Sequence, residues 1–470
     1  MSKTVITTVC LLALTTLALA ANPTPLNQRD AKAAPQWVQR GVMYQIQPRA
    51  FTPEGTLNAA AARLKNLAEL GVDIIYLCPV FVADDDMDRD GWSPRQKRSG
   101  MNNPRNPYRM KDYYHVDPEY GTDADLKAFV NEAHKQGLRV LLDMVYLHCG
   151  PNAVFIKDHP NFVKRDKDGN ILTTKWNFPY TNIANPEFRE YLYKNMEYWV
   201  RDFDVDGFRC DVSDAVSLDF WLTARRRLEK LRPDIGMLAE GQRREDQLEA
   251  FDMNYSFTWF NAVRGTMEQG KPASHIRDVW QKMADERPRG ARLIRYIDNH
   301  DISNDSYDHR IEERWSTPRV NAALVMLFTI DGVPMLYNGQ EVIDHARHSI
   351  YARLPVDWAH GNTPAGKARF EFCQKLCAMR HEQIALTEGS VQWLDNDQPE
   401  AVLSYLRRKG DQQVLTVINV KDQTVEVRVP LPGDHATKFD TLLSHGVKMT
   451  TNKDAVLTLE PFGYYVGKQR

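Results

Sequence analysis

Surplus charge is the first thing this sequence lacks: its 470 residues carry 60 Lys+Arg against 62 Asp+Glu, a formal net charge of −2. Binding a polyanion needs clustered surplus cations, so a general nucleic-acid partner is excluded. Long apolar runs are lacking too. The only one lies at the N-terminus, and no membrane-spanning helix is expected in the mature protein. Cysteine is scarce, six residues in all. There is no internal repeat and no low-complexity tract, while 10% aromatic residues, among them 10 Trp and 19 Tyr, exclude disorder over most of the length. What is present, 43% apolar and 26% charged residues, suits a soluble globular protein with chain enough for two or three cores.

The N-terminal run reads as an export signal. Lys3 supplies the positive start, Val5 through Ala13 with Leu14, Leu17 and Leu19 the apolar stretch, and Ala18-Leu19-Ala20 a small-x-small cleavage site before Ala21. Thr15, Thr16 and the following Asn22-Pro23-Thr24-Pro25 make a membrane anchor the poorer reading. Residues 1–20 are therefore a signal peptide by expectation, and the protein is exported, periplasmic or extracellular. Export implies an oxidising compartment. Yet the remaining cysteines, Cys78, Cys149, Cys210, Cys373 and Cys377, are odd in number and irregularly spaced, which is not a disulfide framework. They read as small buried hydrophobes; zinc at His148, Cys149 and Cys210 is poorly supported.

The apolar runs Val42–Ile46, Val72–Leu77, Arg139–Met144, Gly207–Cys210, Gly236–Ala239, Met253–Tyr255, Leu293–Tyr296 and Val333–Leu336 alternate with amphipathic helical patterns such as Asp123–Gln136, Pro186–Asp202 and Leu218–Leu231. Eight strand–helix units with continuously apolar strands predict an α/β fold: a (β/α)8 TIM barrel over residues 38–388. An open doubly wound sheet is the runner-up, disfavoured by the eight repeats and by the absence of G-x-G-x-x-G after the first strand. Two insertions, Ala83–Asn106 and a short B region over 149–185, follow the C-terminal ends of the second and third strands. After about Val391 the pattern becomes alternating strands with Gly, Asp and Pro turns, which predicts a C-terminal antiparallel β-sandwich domain over 391–470.

The strand ends are unusually polar. The third ends Asp143-Met-Val-Tyr-Leu-His148, the fourth Gly207-Phe-Arg-Cys-Asp211, the fifth at Glu240, and the seventh Asp298-Asn299-His300-Asp301. One acid at a strand end is ordinarily a helix cap or an ion-pair partner. Four at one barrel mouth repel each other and lose hydration, so the set points to chemistry. Cleaving an acetal needs one ionised carboxylate to attack the anomeric carbon and one protonated carboxyl to hand a proton to the leaving oxygen. Arg209 and Asp211, two apart on a strand, face the same side, which orients Asp211 as nucleophile and keeps it ionised. Glu240 follows apolar Met237-Leu238-Ala239, an environment that raises the pKa of an acid. Asp301, beside His300, is placed to hold sugar hydroxyls.

These stretches resemble the four short regions of the α-amylase family of glycoside hydrolases. Asp143–His148 looks like its D-x-V-x-N-H, Gly207–Asp211 matches G-x-R-x-D, Glu240 falls at the acid/base region, and Asp298–Asp301 matches D-N-H-D. Asn106-Pro107-Tyr108, Val116–Thr122, Asp331–Glu341 and Arg353–Trp358 extend the resemblance from roughly Val42 to the C-terminus. It implies Asp211 as nucleophile, Glu240 as general acid/base and Asp301 as transition-state stabiliser. Tyr108 would stack on the glucose at the cleavage point, with His148, Arg209 and His300 as substrate-binding partners. It further implies an oligosaccharide or α-glucan substrate, malto-oligosaccharides above all, cleaved mainly at α-1,4 bonds with retention through a covalent glycosyl–enzyme intermediate. No cofactor is required.

Departures qualify the match. Leu147 replaces an Asn that helps bind structural calcium in many relatives; the acidic loop at Asp84, Asp86 and Asp88 either offers alternative oxygen ligands for Ca2+ or is simply a solvated charged loop. Gly241-Gln242 and Asp214-Ala215 differ from common amylase residues. Phe178–Asn182 and Asp211–Trp221 lean toward neopullulanases and cyclomaltodextrinases, without room for their extra N-terminal domain. A transglycosylase on the same scaffold and a non-catalytic sugar-binding barrel remain the alternatives. Oligomeric state, and α-1,4 against α-1,6 preference, are not written in the sequence.

Overall fold

The computed structural model describes residues 24–305, 310–431, 439–451 and 454–470; the signal peptide expected over 1–20 lies outside them. Eight short strands pair in parallel: β1 (Met43–Ile46), β2 (Ile74–Leu77), β3 (Arg139–Met144), β4 (Gly207–Cys210), β5 (Gly236–Ala239), β6 (Met253–Asn254), β7 (Ile294–Arg295) and β8 (Val333–Tyr337). Their order, β6-β5-β4-β3-β2-β1-β8-β7, leaves β6 and β7 at the ends, and the parallel bridge Asn254↔Leu293 joins them into a barrel. That seam is reinforced by Gln247, whose Nε2 donates to Asn254 Oδ1 (2.9 Å) and Arg292 O (2.8 Å) while its Oε1 accepts the Arg292 N–H (2.6 Å).

Strand residues alternate between two cores. Met43, Ile74, Tyr76, Leu141, Leu238, Met253, Ile294 and Met335 fill the barrel interior. Their neighbours Tyr44, Ile75, Val140, Leu142, Phe208, Met237 and Leu336 face the surrounding helices. The expected helices are present, among them Asp123–Lys135, capped by a Thr122/Asp125 box, and Pro186–Phe203, capped by Asn185. A further helix, Phe257–Met267, was not expected: most of it is buried, and its polar face is only the narrow stripe Thr258, Asn261 and Arg264.

The C-terminal domain is antiparallel: β9 (Ser390–Trp393), β10 (Val402–Lys409), β11 (Gln412–Asn419), β12 (Val425–Pro430), β13 (Phe439–Thr451) and β14 (Asp454–Gln469). Its two halves come from one six-stranded sheet, because β14 pairs with β12 through residues 454–459 and with β11 through residues 464–468. Phe462, at φ 56°, lies between the two pairings. One face encloses Leu406, Leu415, Val427 and Leu457; the other, with Leu403, Tyr405 and Ile418, packs on the barrel. The Tyr405 hydroxyl lies 2.6 Å from Thr329 Oγ1 on the barrel helix Thr317–Thr329. Among the described residues no helix is long and apolar enough to cross a membrane.

Gly207 on β4 faces Gly236 on β5, and a Cβ at Gly207 would lie 2.0 Å from the Gly236 carbonyl oxygen. Backbone cannot yield as a side-chain tip can. Gly207→Ala is expected to destabilise the protein by about 1–3 kcal/mol, measured by urea unfolding; wild-type stability in that variant would contradict the tight β4–β5 packing.

Candidate active site

The alternation that fills the barrel also aims its polar residues. Asp143 stands two residues after inward Leu141, Arg209 two and Asp211 four after Gly207, and Glu240 two after Leu238, so all emerge at the C-terminal mouth. Asp298–Asp301 follows β7 into a short helix, His300–Asp305.

Arg209, its side chain 1% exposed, sits at the centre. Its Nη1 donates to Asp143 Oδ1 at 2.6 Å and Asp211 Oδ1 at 2.7 Å, and its Nη2 lies 3.0 Å from Glu240 Oε2. Glu240 Oε2 also accepts the Val212 N–H at 2.7 Å. The other Asp143 oxygen accepts from the hydroxyls of Tyr76 and Tyr108, both at 2.9 Å.

The hydrogen bonds fix both histidine tautomers. Gln45 Oε1 accepts the His300 backbone N–H (3.0 Å), so its amide nitrogen donates to His300 Nδ1 (2.9 Å). The ring proton is then on Nε2 and is donated to the Tyr108 hydroxyl at 2.7 Å; the two rings stack at 5.4 Å. His148 Nε2 donates to the Tyr108 carbonyl at 3.0 Å, leaving Nδ1 an acceptor with no partner. Trp176 and Phe178, from the insertion after β3, pack against the His148 ring.

Charge bookkeeping places the proton. Asp143, Asp211, Glu240 and Asp301 surround the permanent cations Arg209 and Arg95, whose Nη1 donates to Asp301 Oδ1 at 2.6 Å. Burial holds His148 and His300 near pKa 4, so neither adds charge at neutral pH. Glu240 is pushed well above the usual carboxylate range, first by burial and then by Asp211 and Asp301. Burial, opposed by Arg209, raises Asp211 to about 6; Arg209 does not hold it as low as an exposed ion-paired carboxylate. Burial alone would raise Asp301, but neighbouring cations hold it at about 2. His300 helps there only when protonated, so at neutral pH the cations that matter are Arg95 first and then Arg209.

A cavity of about 150 Å³ opens among these groups, lined by Tyr108, His148, Asp211, Glu240, His300 and Asp301. Those are six of the seven residues singled out from the sequence; Arg209 lies beneath them. Arg95 and Trp176 also line it. Neither was singled out, because both sit in insertions where no periodicity fixes direction. Ser93 caps the short helix Pro94–Arg98 that carries Arg95, and Asn177 Nδ2 donates to Trp92 O (2.9 Å), tying the two insertions together.

The acidic loop is held by its own turns: Asp84, Asp86 and Asp88 each accept the backbone N–H two residues on, at 2.9–3.0 Å. Arg109 lies 3.8 Å from Asp84 and 3.6 Å from Asp86. Among the described residues no three His, Cys, Asp or Glu side chains are grouped to hold a metal. The five described cysteines are all buried and unpaired. Of the departures, Leu147 is buried in apolar packing. Asp214 accepts the N–H of Gln242 (2.7 Å) and Arg243 (3.1 Å), pinning the loop after Glu240; a Cβ at Gly241 would lie 2.2 Å from Asp214 Oδ1.

Comparison with known proteins agrees in both parts of the chain. The model of the α-amylase catalytic domain matches residues 27–177 and 167–382, and that of the maltogenic amylase C-terminal domain matches residues 391–466. A cyclomaltodextrinase from Bacillus sp is 28% identical over 452 residues, 84% of this chain and 75% of that protein. A maltogenic α-amylase from Bacillus acidopullulyticus is 26% identical over 87% of this chain and 74% of its own. The crystal structure of a noncanonic maltogenic α-amylase from Thermotoga neapolitana superposes with a TM-score of 0.79 at 27% identity, covering 92% of this chain and 99% of that one. With an eight-stranded barrel, its carboxylates gathered around one arginine, and these matches over both domains, the chain belongs to the α-amylase family of glycoside hydrolases.

Proposed function

We propose that this glycoside hydrolase cleaves α-glucosidic bonds, mainly α-1,4, of malto-oligosaccharides with retention of configuration. One observation carries the reading: Asp211 and Glu240 are bound to neighbouring nitrogens of the same buried guanidinium, at the wall of one cavity. The relatives named cyclomaltodextrinase and maltogenic amylase support the substrate class.

In this reading ionised Asp211 attacks the anomeric carbon while Glu240 protonates the departing oxygen. Forming the ester removes the Asp211 charge, one of the causes that raise Glu240. The Glu240 pKa then falls, so that after giving up its proton the group stays ionised and free to take one from the water that releases the sugar. Asp301, kept ionised by Arg95, accepts sugar hydroxyls, as does the bare Nδ1 of His148. No step needs a metal or cofactor. Export rests on the composition of the first twenty residues, from Lys3 to Ala20; N-terminal sequencing of protein recovered from the periplasm or medium is expected to begin at Ala21.

Asp211→Asn is expected to lower kcat on maltotriose by roughly 10³-fold or more. Glu240→Gln should lose as much on maltotriose but far less on a nitrophenyl maltoside, whose leaving group needs no proton. NMR of the first product formed by the wild type should show the α-anomer; a β-anomer would overturn the double-displacement scheme.

The pH profile follows from the same charges. Activity needs Asp211 ionised and Glu240 protonated, so kcat/KM should fall below about pH 6 as Asp211 takes up a proton. It should fall again on the alkaline side as Glu240 loses its own. A profile without the acid limb near that pH would contradict the assignment.

A further inference from the structure

A second cavity, about 330 Å³, lies at the other end of the barrel, where the segments entering β7 and β8 meet the C-terminal domain. Its charge is lopsided. Arg287, Arg289, Arg292, Arg295 and Arg407 line it against two carboxylates, Asp331 and Glu388. Both acids are committed. Asp331 accepts from Arg295 Nη2 at 2.6 Å and from Trp280 Nε1 at 2.8 Å. Glu388 pairs with Arg40 at 2.7 Å and Lys409 at 3.3 Å. Arg289 has Asp30 at 2.9 Å.

That leaves Arg287, Arg292 and Arg407 with no carboxylate at ion-pair distance among the described residues, although Asp331 acts on Arg407 and Asp252 and Glu388 on Arg292 from farther off. They have only backbone carbonyls: Arg407 donates to Thr329 O (2.9 Å) and Gly389 O (2.7 Å), Arg292 to Gly290 O (3.2 Å), and Arg287 to Met283 O (3.3 Å) and Gln242 O (3.5 Å). Two donors on side chains of residues 1% exposed, Arg295 Nη1 and Arg407 Nε, have no hydrogen-bond partner. Burial lowers the pKa of Arg287 and Arg292, and brings that of Arg407 down to about 10. Buried cations in such surroundings are costly unless a counter-charge joins them.

We propose that this cleft binds a phosphate group, with Arg287, Arg292 and Arg407 bridging it across the junction of barrel and C-terminal domain. The guanidinium fork matches a tetrahedral oxyanion two bonds at a time, and a multivalent anion answers several cations at once where a single carboxylate would not. The residues come from both domains, so occupancy locks one onto the other.

The test is thermal unfolding of the full chain in inorganic phosphate against sodium chloride of equal ionic strength. The wild type is expected to gain several degrees of Tm, rising with the logarithm of phosphate concentration, with KM for maltotriose unchanged because the site is at the opposite end of the barrel. Arg287→Gln/Arg292→Gln should lose the phosphate dependence while unfolding in chloride no lower than the wild type, since it removes cationic charge that has no contact ion pair. Should the double variant not fold, Arg292→Gln alone must weaken the phosphate response. Glucose 6-phosphate acting at lower concentration than phosphate would identify an ester as the ligand, and equal potency would identify the free ion. No phosphate-specific gain in the wild type, or an undiminished gain in the arginine variants, overturns the site.

Discussion

The catalytic end of this molecule depends on one buried guanidinium. Four carboxylates at a barrel mouth would repel one another and lose hydration, and the chain would gain by turning them outward. Arg209 makes the gathering tolerable, because its fork reaches Asp143, Asp211 and Glu240 at 2.6–3.0 Å from a single position on β4. It does not neutralise them all. The shortfall is what keeps a proton on Glu240 while Asp211 stays available as an anion, so the unequal acidities of the pair come from counting charges as much as from local polarity.

The remainder of the site is supplied by chain that interrupts the barrel rhythm. The insertion after β2 brings Arg95 to Asp301, and the one after β3 brings Trp176 and Phe178 to His148. Loops are where a rigid barrel acquires its particular chemistry. The Asn177–Trp92 hydrogen bond and the Asn152 N–H donated to Asp84 at 2.7 Å make the two insertions one wall. The carboxylate loop, with its turns and the adjacent Arg109, belongs to that wall as a built element.

Much of this was legible beforehand, for a physical reason. Parallel strands covered on both faces are written as unbroken apolar runs, so the strands emerged within a residue or two of their ends, and each polar run at a strand end had to point into the mouth. The trio Asp211, Glu240 and Asp301 followed from that. What was not legible lay where period carries no information. Helix Phe257–Met267 is mostly buried, and its polar face narrows to Thr258, Asn261 and Arg264. Arg95 sits in an irregular insertion. Strand β14 runs through the turn-like Pro461-Phe462-Gly463 because pairing to β13 on both sides of that point carries it on.

The barrel seam has a consequence of its own. Strands β6 and β7 contribute two residues each, and the bridge between Asn254 and Leu293 is backed by the amide of Gln247. Glu240 follows β5, which pairs with β6 on one side of that joint, and Asp301 lies on the segment leaving β7 on the other. Gln247 thus acts as a rivet in a hoop: if it gives way, the hoop springs open between Glu240 and Asp301. Heat would then silence the enzyme through a local parting while most of the fold still stood.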